Sequence, residues 1–322
     1  MAITTALPGS DTPARTRVGD RVMTGITSGS GIAIIALVVA VGLFLLTTAV
    51  PSVIKDQVPF LFSREWNVAD STNLRFGVVD LLWTTVLSSA VAMAIAVPVA
   101  IGIALFITQY APRRVARPAA FVIDLLAAVP SIIYGLWGLI ILAPVIKPLA
   151  NALNSALGWI PLFGHGIDSA GTVFTASIVL AIMVLPIVTA ISRDVFDQTP
   201  LLHKEAALAL GATKWEMIRT AVLPFGRPGA ISASMLGLGR ALGETIAVSI
   251  ILSKPPTGVS FNPSLFYGGE TFASKIANNA AEFDSPTKTG AYVAAGLVLF
   301  LLTLAVNALA RVIINRRREF SE

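Results

Sequence analysis

At 322 residues, 55% of them hydrophobic and 13% charged, with mean hydropathy +0.79, the chain carries more apolar surface than a water-soluble protein can bury. Several uncharged runs reach the roughly 20 residues that a membrane-crossing helix needs, so a polytopic membrane protein is expected. The absence of cysteine excludes disulfides and thiolate sites, two separated histidines exclude a His-based metal cluster, and a net charge of +5 dispersed among short segments excludes the concentrated basic surface of a nucleic-acid binder.

Residues 1–30, rich in Thr, Gly, Ser and Pro with Arg15, Arg17 and Arg21, read as a flexible tail, and 31–322 as one membrane domain. The first apolar run is 31–50. Basic residues precede it as they would a signal peptide, but its length and the lack of a clear small-x-small cleavage site favour an uncleaved anchor. A second run, 78–108, holds Pro98 as an expected kink, and a third, 119–145, holds Asp124, Pro130 and Pro144. A Gly/Pro/aromatic loop over 147–171 leads to a fourth run at 172–192. Beyond a polar stretch, 199–224, come a fifth run at 229–252 and a sixth at 290–314, six spans in all. In the loop before the last, Phe272, Ile276, Ala280 and Phe283 recur at helical spacing opposite Lys275, Asn278 and Glu282. This predicts a short amphipathic helix, lying on the membrane surface or facing solvent.

Alternate sides of this arrangement differ in charge. The tail, the Arg113 turn, the polar stretch with its flanks from Arg193 to Arg227 and the C-terminal end from Arg311 hold 15 of the 23 Lys and Arg, the other three loops hold 7, and Arg240 lies within a span. Both termini and the polar stretch are therefore expected in the cytoplasm.

That polar stretch, TPLLHKEAALALGATKWEMIRTAVLP, reads as a helical hairpin. Thr199 is placed to cap a helix with Pro200 in its first turn, and Gly211 falls where a left-handed C-terminal cap belongs. Thr213 and Glu216 have capping-box spacing, which predicts a second helix from Lys214 to about Val222, closed by Pro224. Such a hairpin cannot lie in hydrocarbon and must project as a surface for another molecule to grip. No G-x-x-x-x-G-K-[ST] loop occurs, so any ATP hydrolysis belongs to another subunit.

Arg240 and Glu244 stand near the middle of an apolar run, where even lenient insertion scales charge roughly 2.5–3.5 kcal/mol for an arginine. Their i, i+4 spacing predicts one helix face within salt-bridge reach, and Gly239 and Gly243 form a G-x-x-x-G pair suited to close helix approach. A transport pathway and a structural ion pair both fit. Asp124 reads as structural, near the start of a span, and His165 and His203 as ordinary surface residues.

The run Glu205-Ala-Ala-Leu-Ala-Leu-Gly211, followed by Leu223-Pro224, resembles the EAA signature of permease subunits of bacterial ABC importers, with Ala221 departing from the usual Ile. Pro130-Ser-Ile-Ile-Tyr-Gly-Leu-Trp-Gly138 and Gly237-Leu-Gly-Arg-Ala-Leu-Gly-Glu-Thr245 narrow the resemblance, which covers roughly 76–318, to the PstC-type subunits of phosphate importers. The resemblance implies an all-α, six-helix type I importer permease of MetI-like fold in the cytoplasmic membrane. It implies as partners a PstA-like second permease subunit, a PstB-like ATPase dimer and a PstS-like phosphate-binding protein, with no cofactor of its own. By that resemblance Glu205, Ala206, Ala207, Gly211, Leu223 and Pro224 couple to the ATPase, and phosphate is the cargo that Arg240 and Glu244 are expected to serve. Sulfate, molybdate or phosphonate transport on the same architecture is an alternative. An ion-driven secondary transporter would show repeated halves with matched broken helices and leaves the hairpin unexplained. A non-transporting assembly subunit leaves the intramembrane Arg and Glu unexplained.

Overall fold

A computed structural model describes residues 18–70, 73–164, 170–255 and 260–318. Among the described residues the regular structure is helical apart from a short antiparallel ribbon, β1 (Trp66–Asn67) and β2 (Arg75–Phe76), in which Trp66 pairs with Phe76. Five helices among the described residues are long and apolar enough to cross a membrane: Gly19–Lys55, Val79–Tyr110, Ser131–Leu157, Val173–Asp197 and Pro286–Val312. The expected fifth span at 229–252 is not among them.

Helix α1 (Val18–Lys55) starts well before the apolar run, so the expected tail is helical from Val18 onward. Its 38 residues extend about 57 Å against a hydrocarbon layer of about 30 Å. Almost all of its surface is exposed except where it lies along the last helix. Helix α2 (Val79–Leu105) continues through a π turn at Phe106–Tyr110. Next, α3 (Arg113–Ala127) is a separate helix: Pro130 starts α4 (Ser131–Trp137), which runs through a second π turn into α5 (Ala143–Leu157). The expected third span therefore falls across two helices, because Pro130 has no N–H to donate and disfavours α geometry at the residue before it. Much of the loop expected over 147–171 is the end of α5.

Helix α6 (Val173–Asp197) is the centre of the bundle, buried along most of its length between α2, α3 and the later helix Leu223–Gly243. Its start is tied to the neighbouring loop by backbone bonds, Val173 N–H to Tyr267 O and Phe174 N–H to Leu265 O. The hairpin helices α7 (Leu201–Ala209) and α8 (Lys214–Met217) follow, then α9 (Leu223–Gly243), α10 (Ile246–Ile251), α11 (Phe272–Asn278) and α12 (Pro286–Arg318). The amphipathic segment is helical over Phe272–Asn278 and buries its first turn, while Ala280, Glu282 and Phe283 farther along are exposed. Phe272 is fully buried with Val78, Leu81 and Ala295, and its backbone N–H bonds the Thr85 hydroxyl, so α11 is wedged into the end of the bundle. Thr271 and Ser274 close a capping box over it, which a search for Glu or Gln at N3 passes by.

Candidate functional site: the hairpin and the broken helix

The hairpin is seated on a small core of Ala104, Phe196, Met217, Ile218, Val222 and Ala230, with Ala207 and Leu223 packed against it. Truncating a fully buried residue such as Ile218 to Ala costs about 2–5 kcal/mol, so this seat fixes the hairpin to the ends of α2 and α6. The Thr199 hydroxyl donates to Phe196 O at 2.9 Å and is buried, so Thr199 closes α6 and Pro200 takes the N-cap place of α7, against the expectation. Gly211 has φ +85°, the left-handed turn that the sequence predicts. The capping box is present: Thr213 N–H donates to Glu216 Oε2 at 2.7 Å, and Glu216 N–H to Thr213 Oγ1 at 3.3 Å. The Thr213 backbone and hydroxyl bonds hold the Glu216 carboxyl below its ordinary pKa.

Pro224 does not close the second helix. A π turn at Ile218–Val222 reroutes the hydrogen bonding just where the proline would leave a carbonyl unpaired, and the helix runs on into α9. The six EAA-like positions divide accordingly. Ala207, Gly211 and Leu223 shape and seat the hairpin, while Glu205, Ala206 and Pro224 are exposed. Exposed beside them are Leu202 at 76%, Leu210 at 89% and Trp215 at 55%, apolar residues that sequence reasoning passed over. Their signal was available: large apolar side chains on helices too short to bury them.

The run carrying Arg240 and Glu244 is a broken helix. Helix α9 ends at Gly243, Glu244 is extended at φ −66° and ψ 126°, and Glu244 Oε1 accepts the Ala247 N–H at 3.2 Å, capping α10. The expected Arg240–Glu244 ion pair is absent, because the break removes the i, i+4 geometry it required. Arg240 is exposed and has no ion-pair or hydrogen-bonding partner among the described residues. A Cβ at Gly239 or Gly243 would meet no atom within 4 Å, so the G-x-x-x-G face is open, whereas one at Gly237 would strike Val184 and Val188.

The two motif segments meet here. A Cβ on Gly135 would lie 2.9 Å from Ala247 Cα, so α4 packs backbone to backbone on α10. The Tyr134 hydroxyl donates to Leu126 O at 2.9 Å, bridging the break before Pro130. Asp124 is paired with the mostly buried Arg193 at 3.5 Å, joining α3 to α6. His203 is exposed on α7, and His165 lies outside the described residues. At the end of the bundle opposite the hairpin, a cavity of about 710 Å³ is lined by Arg64, Trp66, Asp80, Tyr267, Glu270 and Lys275. Its cations are matched by carboxylates: Asp80 binds Arg64 through both oxygens at 2.8 and 3.0 Å, and Glu270 pairs with Lys275 at 2.9 Å.

Residues 96–319 match the family model of the binding-protein-dependent transport system inner membrane component. The chain is 54% identical over 303 residues to the phosphate transport system permease protein PstC 2 of Mycobacterium tuberculosis, covering 92% of each chain. It is 53% identical over 278 residues to the phosphate transport system permease protein PstC of Mycobacterium leprae, covering 85% of this chain and 86% of that one. Among solved structures, a chain of the MetNI methionine ABC transporter in an inward-facing conformation superposes with TM-score 0.54 at 14% identity, over 74% of this chain and 95% of that one. A chain of a bacterial ABC transporter that imports the acidic polysaccharide alginate gives TM-score 0.53 at 14% identity, over 92% and 99%. At those identities the structural likeness speaks for the fold.

Proposed function

Because the chain belongs to the family of binding-protein-dependent transport system inner membrane components, we propose that it is the permease subunit of an ATP-driven importer that carries inorganic phosphate into the cytoplasm. The observation that carries this reading is Arg240. A guanidinium stands unpartnered among the described residues on an open glycine face, in a chain 54% identical to a phosphate permease. Several N–H donors in a fixed fork suit a tetrahedral oxyanion, and a site without a permanent counter-ion leaves its full attraction for the cargo. Glu244 serves the pathway differently from the expected pair. By capping α10 it holds the helix break beside Arg240, and its negative charge near the passage favours release over trapping.

The open face of Gly239 and Gly243 is where a PstA-like second permease subunit completes the passage. Glu205 and Ala206, with Leu202, Leu210 and Trp215, form the surface that docks on a PstB-like ATPase dimer, whose closure rocks the helices between outward-open and inward-open states. A PstS-like protein delivers phosphate at the opposite end. Both termini and the hairpin lie in the cytoplasm. ATP hydrolysis belongs to the partner, and this subunit moves cargo without making or breaking bonds. The test is phosphate uptake by the intact complex in proteoliposomes, with sulfate and molybdate as competitors. Arg240→Gln should abolish uptake at unchanged yield of complex. Normal uptake in that variant refutes the role of Arg240, and equal competition by sulfate or molybdate refutes the selectivity.

A further inference from the structure

We propose that the first turn of α3 binds an anionic phospholipid, with Arg113, Arg114 and Arg117 on its phosphate and an acyl chain laid along Phe121, Val122 and Leu125. The inference rests on the membrane-embedded fold and does not depend on which anion is transported. All three arginines are exposed, and none has an ion-pair or hydrogen-bonding partner among the described residues, whereas Arg193 in the neighbouring α6 is paired with Asp124 and Asp194. Arg113, Arg117, Phe121 and Leu125 follow one another at four-residue spacing, so one helix face is basic at its start and apolar at its end. Ile123, the one buried residue of α3, and the Asp124 contact to Arg193 mark the side turned toward α6.

At 15 residues, about 22 Å, α3 is too short to cross a bilayer. Phe121 is 67% exposed and Leu125 58%, an apolar strip of the kind that marks a contact surface. A helix with such an axial gradient enters the bilayer edge at a slant, its cations level with headgroup phosphates and its apolar end about 12 Å deeper. Guanidinium forks match a phosphodiester, and Tyr110, half exposed just before α3, is a residue type that favours this level. A partner protein covering the same face would need acidic groups at one end and a greasy strip at the other. One anionic lipid supplies both.

The site also touches the coupling machinery. Lys214, at the start of α8, places its Nζ 4.8 Å from the centre of the Tyr110 ring, so a headgroup beside Tyr110 steadies the base of the hairpin. Anionic lipid is thereby expected to raise ATP hydrolysis coupled through the hairpin. The test uses the intact complex in phosphatidylcholine nanodiscs with or without phosphatidylglycerol, reading lipid retained on the protein by native mass spectrometry and ATPase rate in parallel. R113Q/R114Q/R117Q should bind phosphatidylglycerol on the order of a hundredfold more weakly and lose the stimulation, at unchanged yield of complex. R113K/R114K/R117K, which keeps the charge, should restore much of the retention. Retention unaffected by the glutamine variant overturns the proposal. So does loss of the second permease subunit from the variant, which would make this face a subunit contact. The mass readout needs no transport, so its failure is distinct from failure of the phosphate reading.

Discussion

Replacing Gly211 by asparagine, alanine and valine in turn separates backbone strain from crowding, because at φ +85° a Cβ there would meet no atom within 4 Å. The whole effect must then come from the left-handed backbone. That costs an ordinary L-residue roughly 1–2 kcal/mol, an asparagine less and a β-branched valine more. Helix α7 buries none of its residues completely and packs on the seat through Ala207, so little in its own packing resists a change of turn. A bias of 1–2 kcal/mol therefore shifts the population of the native hairpin by about 5- to 30-fold. The spans do not involve the turn, and the complex should assemble with normal yield. Uptake and uptake-coupled ATP hydrolysis, measured together in proteoliposomes, should fall in the order asparagine, alanine, valine. Equal activity in all three, or normal uptake in the valine variant, would refute the argument that this turn presents the docking surface.

Since Arg240 and Glu244 are not paired, Arg240→Met and Glu244→Leu should lower the thermal stability of the complex additively, within about 0.5 kcal/mol, and a larger interaction energy would restore the ion pair. Gly135→Val should overpack the contact with Ala247 and cost about 1–3 kcal/mol of stability by thermal unfolding in detergent, a shift that Gly239→Val, pointing into open space in this subunit, should cause only when the second permease subunit is present. Thr213→Ala should raise the Glu216 carboxyl toward its ordinary pKa in carbon NMR. With the folded value depressed, the cap is at full strength above the ordinary carboxylate range and is lost as pH falls through the lowered one, so an unchanged titration would deny the box. An impermeant thiol reagent applied to intact cells should label a cysteine replacing the exposed Ala281 and spare one replacing Lys214, and the reverse pattern would invert the orientation.

What could be read from residues was what local chemistry decides. Thr213 and Glu216 carry their own partners, Gly211 needs only its missing Cβ, and α2 and α6 follow from uninterrupted apolar composition. The misreadings fall where a distant part of the chain outweighs a local preference. The local signal at Glu244 is mixed, since Gly243 weakens the helix while Ala241, Leu242 and Glu244 favour it; beyond the break, α10 packs where Gly135 lets α4 approach its backbone. Pro224 should end a helix by its own chemistry, yet the preceding π turn absorbs the missing donor. Thr199 has an N-cap's side chain, but Phe196 offers its hydroxyl a carbonyl in the seat of the hairpin. The amphipathic pattern around Phe272 marked a helix, but Phe272 is covered by the bundle while Phe283 is exposed, because periodicity shows that one face is apolar without naming what covers it.

The contact between α1 and α12 sets an order of events during synthesis. The Ser52 hydroxyl donates to Thr287 O, a partner 235 residues later in the chain. A ribosome adding about 5–20 residues per second needs roughly 10–50 s to make that stretch. Throughout that interval α1 already stands in the bilayer with its packing face turned to lipid. Helix α1 thus waits for α12 before its packing face is covered, and closure of Ser52 onto Thr287 reports that the two have met.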